Sequence, residues 1–299
     1  MLSLIGFYAV MAGVFTFGKQ VVLYVEPFFI SVLRLPLAGL IFILYEYFYN
    51  RKQCYISKKI APFLITYGIA ITGMDSCRFI ALQTLPAANA ALIASLAPFF
   101  AALFSYLFLD EKITSKKIIA LSIGFCAILP VILSHAASPS IGCSLEILII
   151  AYSAAFVSML GFVLSGLFIK LITRRFQYSM LMLAGTGMVI GGLLSLLLSL
   201  RYESWNPLPF IDMYKGMPYI IYLFVTHNLI AYPLFTYLLK IFPLTLVAFA
   251  QLLTPLFTAL FRWAMFGETI TFSFVLSFVI LSSALFVFYQ EERSEGLIK

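Results

Sequence analysis

The sequence predicts an all-α integral membrane protein with ten transmembrane helices, arranged as two inverted five-helix repeats with both termini in the cytoplasm. Three observations predict this class: the composition, the number of apolar runs, and an internal duplication. Of the 299 residues, 63% are hydrophobic and only 10% are charged, whereas a soluble domain carries roughly 25% charged residues. A chain this apolar has more apolar surface than a core can bury, so lipid must be its solvent.

Ten runs of the sequence are apolar over the length that a helix needs to cross a bilayer, which is about 20 residues. They cover residues 3–24, 27–49, 60–82, 86–109, 117–134, 146–169, 178–200, 216–239, 243–266 and 271–289. A membrane barrel would show shorter segments of alternating polarity instead. The first run has no basic segment before it and no small-residue cleavage site, so we expect a retained helix rather than a signal peptide.

An internal duplication relates the segment 85–114 to the segment 242–271, and the two align without a gap. The matches hardest to obtain by chance are two prolines and a closing Glu-x-Ile-Thr motif: Pro86 with Pro243, Pro98 with Pro255, and 111–114 with 268–271. One departure is Gly267, which stands where the first copy has Asp110. The duplication predicts two repeats, residues 1–135 and 146–290, followed by a short cytoplasmic tail at 291–299.

Lysines and arginines predict the orientation, because short cytoplasmic loops carry an excess of both. They follow spans two, four, six and eight and recur in the tail: Arg51, Lys52, Lys58, Lys59, Lys112, Lys116, Lys117, Lys170, Arg174, Arg175, Lys240, Arg293 and Lys299. The opposite loops hold only Arg201 and Lys215. With five helices in each repeat, spans four and nine then run in opposite directions, as in carriers with alternating access. The net charge of +7 is thus a topology signal, and no nucleic-acid partner is expected.

The chain resembles the drug/metabolite transporter superfamily, in its EamA-type branch. The resemblance rests on the repeated prolines and glutamates, on Lys19 late in span one, and on Pro27 followed by Arg34 in span two. It covers nearly the whole chain. It implies a carrier of small organic metabolites, with a central cavity lined by spans one to four and six to nine. Spans five and ten would then lie at the periphery, where a homodimer contact is expected.

Polar residues inside the spans are the candidate substrate contacts, because they are costly in lipid and usually face a cavity or a partner. Lys19 lies near the outer end of span one, where snorkelling to water is an equal alternative. Arg34 is deeper, and we expect it to line the cavity or form an ion pair. Asp75 and Arg78 are neighbours on one helix face, and we expect them to pair with each other. Arg262 lies close enough to the outer edge to snorkel.

Span nine carries a polar stripe on one helix face, and span four carries small residues at the aligned positions. The aligned pairs are Gln251 with Ala94, Thr254 with Ala97, Thr258 with Ala101, and Arg262 with Ser105. A cavity wall and tight helix packing both suit this pattern. His227 and Asn228 lie mid-span, beyond the reach of water, and we expect one of them to line the cavity. The expected substrate contacts are Lys19, Arg34, Asp75, Asn89, His227, Asn228, Gln251 and Thr254.

Prolines and glycines inside the spans predict bends and close packing. We expect Pro98, Pro255 and Pro233 to bend their helices, with Pro98 and Pro255 as symmetric hinges. Gly187-x-x-x-Gly191 is typical of a packing notch between two helices.

Motifs for other functions are missing from the sequence. It contains no HExxH, no G-x-S-x-G and no P-loop, and its cysteines form no CxxC. With only His135 and His227 as histidines, neither a metal nor a cofactor is expected. A membrane-embedded enzyme acting on lipids and a non-transporting interaction protein are the alternatives to a transporter. Buried polar groups that converge from several helices favour the transporter over both.

The substrate is expected to be amphipathic or zwitterionic, because cations and aromatic residues share the outer half of the spans. An amino acid or a nucleoside-containing metabolite fits this description. Abundant Phe, Ile, Tyr and Lys suggest a bacterium with an AT-rich genome, and hence the inner membrane of a bacterial cell. Some members of the resembled family in such bacteria import S-adenosylmethionine, which the resemblance implies as the specific substrate.

Exchange or facilitated diffusion is the expected mode of transport, because the two mid-membrane groups that could carry a proton are poorly suited to it. An adjacent arginine keeps Asp75 ionised, and burial keeps His227 neutral. A drug or metabolite exporter driven by protons is the alternative.

Overall fold

The computed structural model describes residues 2–50, 58–109, 114–127, 144–176 and 178–294. Within these ranges the chain forms helices and no β-strand; the one extended contact is an isolated bridge between Val25 and Phe210. The predicted all-α class is therefore confirmed for the part of the chain that the structure describes. Residues 110–113 and 128–143 are outside it, and with them Glu111, Asp110 and the predicted end of span five.

The first half of the chain forms six helices in the described ranges. They are α1 (Leu2–Val21), α2 (Pro27–Tyr49), α3 (Ala61–Thr84), α4 (Ala87–Ala94), α5 (Ala97–Leu109) and α6 (Ser115–Cys126).

The second half contains longer helices and two irregular turns. They are α7 (Leu145–Arg175), α8 (Met180–Tyr202), α9 (Met213–Leu223), a π-helical segment (Phe224–Ala231), α10 (Tyr232–Ile241), α11 (Leu244–Phe249), a 3-10 turn (Ala250–Leu252), α12 (Leu253–Phe266) and α13 (Phe272–Ser294).

Seven helical segments of the described chain are long and apolar enough to cross a membrane, so the protein is a multi-pass membrane protein. They are Leu4–Val21, Pro27–Tyr49, Ala87–Leu109, Leu145–Arg175, Met180–Tyr202, Met213–Ile241 and Leu244–Phe266. Large apolar side chains on these helices are exposed, for example Phe48 and Leu197, as expected of a surface in contact with lipid. Helix α3, which carries Asp75 and Arg78, falls outside the set.

The duplicated segments share an interruption ahead of their second proline. In the first copy α4 ends at Ala94 and α5 begins at Ala97, so Pro98 is the second residue of the new helix. In the second copy a 3-10 turn separates α11 from α12, and Pro255 is the third residue of α12. Proline lacks the N–H that would continue the preceding helix and disfavours the helical conformation before it. The predicted interruption is present at both places, and the hinge motion stays a prediction.

Helices from the two halves pack against each other in reciprocal pairs. Helix α4 packs on α12 and α5 packs on α11; α2 packs on α8, α3 on α7 and α8, and α1 on α9 and α12. The main packing partner of α6 is α13. The core of the described molecule is thus formed by both halves together.

Glycines set the closest of these approaches. A Cβ added at Gly187 would lie 2.2 Å from Cε1 of Tyr67, and one at Gly191 would lie 2.9 Å from Cγ2 of Ile71. Both contacts are with α3, so the predicted packing notch in α8 is confirmed. A Cβ at Gly161 of α7 would lie 2.5 Å from the backbone nitrogen of Met74. Backbone contact this close requires glycine.

The departure from the repeat at Gly267 also has a structural reason. Gly267 caps the C-terminus of α12 with φ 65° and ψ 19°. This left-handed conformation strains residues that have a Cβ, and glycine adopts it freely.

Glu203, at the C-terminal end of α8, caps the N-terminus of α2 with its carboxylate. One carboxylate oxygen accepts the backbone N–H of Phe28 at 2.6 Å, and the other accepts that of Phe29 at 3.0 Å and the hydroxyl of Ser199 at 2.5 Å. An acidic group at a helix N-terminus satisfies N–H groups that have no partner within the helix. Glu203 therefore fixes the entry of α2 into the bundle.

Candidate functional site

Four of the predicted contact residues meet in the middle of the bundle: Arg34, Asp75, His227 and Asn228, here called the central cluster. Arg34 Nη2 lies 2.8 Å from Asp75 Oδ2, and Arg34 Nη1 donates to Asn228 Oδ1 at 2.7 Å. The His227 Nδ1 atom lies 3.7 Å from Asp75 Oδ1, which is too long for a hydrogen bond. The side chains of Arg34 and Asp75 are 0% exposed. The central cluster therefore joins α2, α3 and the π-helical segment through buried polar contacts.

The pairing of Arg34 is what makes its burial tolerable. An isolated charge in a membrane interior is costly, whereas a paired and hydrogen-bonded one is much less so. Arg34 also donates from Nε to the carbonyl of Ile30 at 3.2 Å, and the Ser31 hydroxyl donates to Asp75 Oδ2 at 2.8 Å. The sequence expectation of a cavity role or an ion pair for Arg34 is met by the ion pair.

The π-helical segment places His227 and Asn228 in the central cluster. The segment runs from Phe224 to Ala231, and the N–H of Tyr232 bonds the carbonyl of His227, five residues earlier. Wider turns of this kind are rare and are frequent at functional sites. Pro233 follows at once and cannot donate to the preceding turn. The sequence indicated a bend at Pro233, but the π geometry was not predicted from it.

The expected pair of Asp75 with Arg78 is wrong. Asp75 is paired with Arg34 on the neighbouring helix, because the bundle brings Arg34 into direct contact with the carboxylate. Arg78 is 3% exposed and its guanidinium lies over the ring of Phe15, 5.2 Å from the ring centre. Its Nε and Nη1 atoms have no hydrogen-bond partner among the described residues. Spacing along one helix placed the two side chains on one face, and only tertiary packing decided which partner Asp75 took.

Several polar atoms around the central cluster are buried and have no hydrogen-bond partner in the described part of the chain. They are Asp75 Oδ1, His227 Nδ1, Asn228 Nδ2 and the hydroxyls of Tyr67 and Tyr232. Buried polar groups are nearly always paired in proteins. Unpaired donors and acceptors in one region are therefore a candidate for contact with a polar ligand.

An apolar wall adjoins these atoms. A small cavity of about 10 Å³ beside His227 is lined by aromatic and methionine side chains: Phe7, Met11, Met74, Phe162, Tyr232 and Phe235, with Ala231. This volume admits one water molecule at most. The cavity beside His227 is thus too small to hold a metabolite in this structure.

The predicted stripe of span nine is buried on the 3-10 turn and α12. Gln251, Thr254 and Thr258 are each at most 2% exposed. Gln251 Oε1 and both threonine hydroxyls lack a hydrogen-bond partner among the described residues. They make no hydrogen bond with the central cluster, so the stripe is a second polar surface inside the bundle. A cavity wall remains the prediction for it.

Lys19 and Asn89 lie elsewhere, in a cavity of about 280 Å³ that Arg262 and Glu268 also line. Lys19 Nζ donates to the carbonyls of Leu82 at 2.7 Å and Gln83 at 3.2 Å. Neither Lys19 nor Asn89 lines the apolar cavity beside His227. Of the candidate set, these two are not brought to the central cluster.

Arg262 does not snorkel. It is 5% exposed, pairs with Glu268 and donates to the carbonyl of Thr16 at 3.4 Å. The turn at Gly267 directs Glu268 back toward the end of α12, which provides the buried arginine with a partly exposed counter-ion.

Sequence reasoning missed two further groups. Ser31, Ser76 and Ser195 form a chain of hydroxyl contacts at 3.2 and 3.0 Å that extends from the central cluster to α8. Glu46 is buried and accepts the hydroxyl of Ser179, while its Oε2 atom has no partner among the described residues. A lone acid in the aromatic run of 45–49 was the only signal for Glu46. Single serines in apolar spans gave no signal for the hydroxyl chain.

Comparisons with known proteins bear on the identity of this fold. A family model described as the EamA-like transporter family matches residues 1–133 and 149–290. Proteins of Chlamydia trachomatis and Chlamydia muridarum, each described as an S-adenosylmethionine/S-adenosylhomocysteine transporter, are 32% and 30% identical to the chain. Each match covers 95% of this chain, and 87% and 89% of the relatives. One solved crystal structure is similar with a TM-score of 0.67 and 18% identity, over 98% of this chain and 97% of that one. At that identity the likeness is one of fold.

Proposed function

The chain belongs to the EamA-like transporter family, and on that premise we propose that it carries S-adenosylmethionine and S-adenosylhomocysteine across a bacterial inner membrane. Members of this family are transporters of small metabolites, so the chain is a transporter and not an enzyme. The observation that carries the proposal is the match to the chlamydial transporters over 95% of the chain.

The proposed architecture is ten transmembrane helices in two inverted repeats, residues 1–135 and 146–290, with both termini and the short tail in the cytoplasm. The reciprocal packing of α4 on α12 and of α5 on α11 supports it. So does a matching lysine contact in each half. Lys19 donates to carbonyls at the end of α3, and Lys170 donates to the carbonyl of Phe242 at the end of α10, at 2.7 Å. In each half a proline follows that helix end. A homodimer is the proposed assembly.

The proposed substrate site is the central cluster together with the apolar wall beside it. S-adenosyl compounds combine an adenine ring, a ribose and an amino-acid group, and S-adenosylmethionine also carries a sulfonium cation. Aromatic faces such as those of Phe7, Phe162 and Tyr232 attract cations and stack on flat rings. The unpaired atoms of Asp75, His227 and Asn228 suit polar groups of the ligand. The chemistry of this region therefore matches a substrate that is part aromatic and part charged.

Exchange is the proposed mode of transport. Asp75 is engaged by Arg34 and Ser31, and loss of its charge would leave Arg34 buried without a counter-ion. A proton cycle through Asp75 is thus disfavoured while the pair persists. His227 then contacts the substrate as a neutral hydrogen-bonding group. Exchange of S-adenosylmethionine for S-adenosylhomocysteine needs no coupled proton, and each cycle moves one positive charge, the sulfonium, across the membrane.

Purified protein in lipid vesicles tests this proposal. Vesicles loaded with S-adenosylhomocysteine should accumulate labelled S-adenosylmethionine, and an imposed pH gradient should add nothing. His227→Ala should lower the exchange rate, whereas Thr226→Val, which removes only a bond within the same helix, should not. The exchange proposal is wrong if a pH gradient alone drives accumulation, and if His227→Ala or Asp75→Asn abolishes that accumulation while leaving exchange intact.

Proton-driven export of a drug or metabolite is the second candidate, and Glu46 is the observation that favours it. Glu46 is a buried carboxyl with one oxygen that has no partner among the described residues, and carboxyls inside membrane spans often belong to proton pathways. In that case Glu46→Gln should abolish gradient-driven transport. Under exchange, the same variant should transport at the wild-type rate.

A further inference from the structure

Arg78 is a buried cation that the described protein does not neutralise. It lies on α3, one turn beyond Asp75, and interacts electrostatically with Asp75, Tyr232 and Arg34. No carboxylate oxygen of the described residues lies within ion-pair distance of it, since Asp75 is engaged by Arg34. Its Nε and Nη1 atoms have no hydrogen-bond partner in the described ranges. The guanidinium lies over the ring of Phe15, 5.2 Å from the ring centre.

This arrangement leaves the region with an excess of positive charge. Arg34 and Arg78 contribute two cations, Asp75 contributes one anion, and a neutral His227 contributes none. Arginine stays protonated inside proteins, so the charge of Arg78 cannot be removed by loss of a proton. An uncompensated charge in a membrane interior is costly and usually marks a site of function. An anionic group that enters the site would relieve this cost.

We propose that Arg78 binds the carboxylate of the transported solute and thereby restricts transport to compounds with an α-amino-acid group. A guanidinium has a planar fork of donors that matches the two oxygens of a carboxylate. The free Oδ1 atom of Asp75 and the hydroxyl of Tyr232 lie in the same region and accept the ammonium of the same group. The inference rests on the proposed function, because it names the part of the adenosyl substrate that the site recognises.

Competition against labelled S-adenosylmethionine tests the role of Arg78. The competitors are S-adenosylhomocysteine, its α-carboxamide, and its analogue without the carboxyl group. Wild-type protein should bind the two analogues that lack the carboxylate about 10- to 100-fold more weakly than the acid, because a charged hydrogen-bonded contact is lost. Arg78→Gln should weaken binding of the acid by a similar factor. Its affinity for the carboxamide should stay within a few-fold of the wild-type affinity. Discrimination between acid and amide would then disappear.

Arg201→Gln is the matched control, since Arg201 is exposed at the end of α8 and should keep the wild-type pattern. Arg78→Lys keeps the charge without the fork and should lose part of the discrimination. If Arg78→Gln does not fold, the lysine variant and the wild-type series still decide the matter. Equal binding of acid and carboxamide by wild type overturns the inference. So does an Arg78 variant that weakens all three competitors alike, which is the result expected of a purely structural role.

Failure of the proposed function would look different. In that case no adenosyl compound would bind to the wild-type protein. Thermal stabilisation of wild type and of Arg78→Gln by free amino acids and by their amides would then test Arg78 without the adenosyl group. Stabilisation by the acids that disappears in the variant would retain the inference, and indifference to the carboxyl group would overturn it.

Discussion

The two halves of the chain share their packing and differ in their chemistry. Both halves have an interrupted helix that follows a proline, and both have a lysine bound to carbonyls before that proline. The charges of the central region all come from the first half: Arg34, Asp75 and Arg78. The second half supplies neutral groups there from the π-helical segment, His227 and Asn228, and it carries a separate polar stripe of Gln251, Thr254 and Thr258.

The helix breaks at the matching prolines and the side chains of the site therefore follow separate constraints. Prolines fix where helices break, and both segments have them at the same two positions. Side chains that face the middle of the bundle are free to diverge once the framework is formed. Charges in one half and hydrogen-bonding groups in the other give a site with two unlike walls, which suits a substrate with unlike ends.

The largest expected effect is the loss of stability when a buried charge of the first half is removed. Asp75→Asn should lower the free energy of unfolding by about 3–5 kcal/mol, because it leaves Arg34 buried without a counter-ion. Thermal unfolding in detergent measures this loss. Replacing both members of the pair with apolar residues, Arg34→Met with Asp75→Leu, should recover much of the stability but not transport. An Asp75→Asn variant as stable as wild type would show that the ion pair between α2 and α3 does not stabilise the fold.

A substitution in the neutral half should change transport more than it changes stability. Thr254→Val should change the free energy of unfolding by less than about 1 kcal/mol, because the hydroxyl has no partner to lose. If the stripe lines the substrate path, the KM for transport should rise about 5- to 10-fold, the value of one hydrogen bond. Thr66→Val, on an exposed face of α3, is the control and should leave KM unchanged. Loss of stability without a change in KM would favour helix packing as the role of the stripe.

Removing the lysine contact should lower stability by the same amount in both halves. Lys19→Met and Lys170→Met each remove a charge-assisted bond to a helix-end carbonyl at 2.7 Å. Each substitution should cost about 1 kcal/mol of stability, since both ammonium groups are partly exposed. Thermal unfolding of the two variants side by side compares them. A loss in one variant only would show that the two contacts are not equivalent and would weaken the inverted-repeat proposal.

The smallest expected effect is the pH dependence of the stability that Glu203 contributes at the N-terminus of α2. Burial raises the pKa of the Glu203 carboxyl above its ordinary value of 4.5, while hydrogen bonds from Ser199, Phe28 and Phe29 act in the opposite direction. The native state then holds this proton to a higher pH than the unfolded state. The stability that Glu203 contributes is therefore full below pH 4.5 and is lost as pH rises through the raised value. The difference in melting temperature between wild type and Glu203→Gln should fall from pH 4 to pH 7.

Asp212 is a control of opposite sign in the same loop. The backbone N–H of Lys215, together with its side chain, lowers the pKa of the partly exposed Asp212 carboxyl. Its contribution to stability is present above the unfolded pKa and is lost as pH falls through the folded one. The difference between wild type and Asp212→Asn should therefore rise with pH. If the Glu203 difference also rises, its hydrogen bonds outweigh its burial.

The sequence by itself determined the class of this protein. Its composition and helix-length apolar runs required a membrane, and its repeated prolines marked where α4–α5 and α11–α12 break. These features are local, since hydropathy and the missing N–H of proline act wherever the residue stands. The family followed from the same residues. The sequence also indicated that Arg34, Asp75, His227 and Asn228 were costly in lipid and needed partners.

Only the tertiary structure decided which residues pair with these buried polar groups. The spacing along α3 favoured an ion pair of Asp75 with Arg78. In the structure, the packing of α2 against α3 brings Arg34 to Asp75, and these two residues pair instead. The π-helical segment turned His227 and Asn228 toward that pair, and the turn at Gly267 brought Glu268 to Arg262. Pairing of buried charges depends on contacts of a few ångströms between residues far apart in the chain. Such contacts are set by how helices pack, which the pattern along any one helix does not contain.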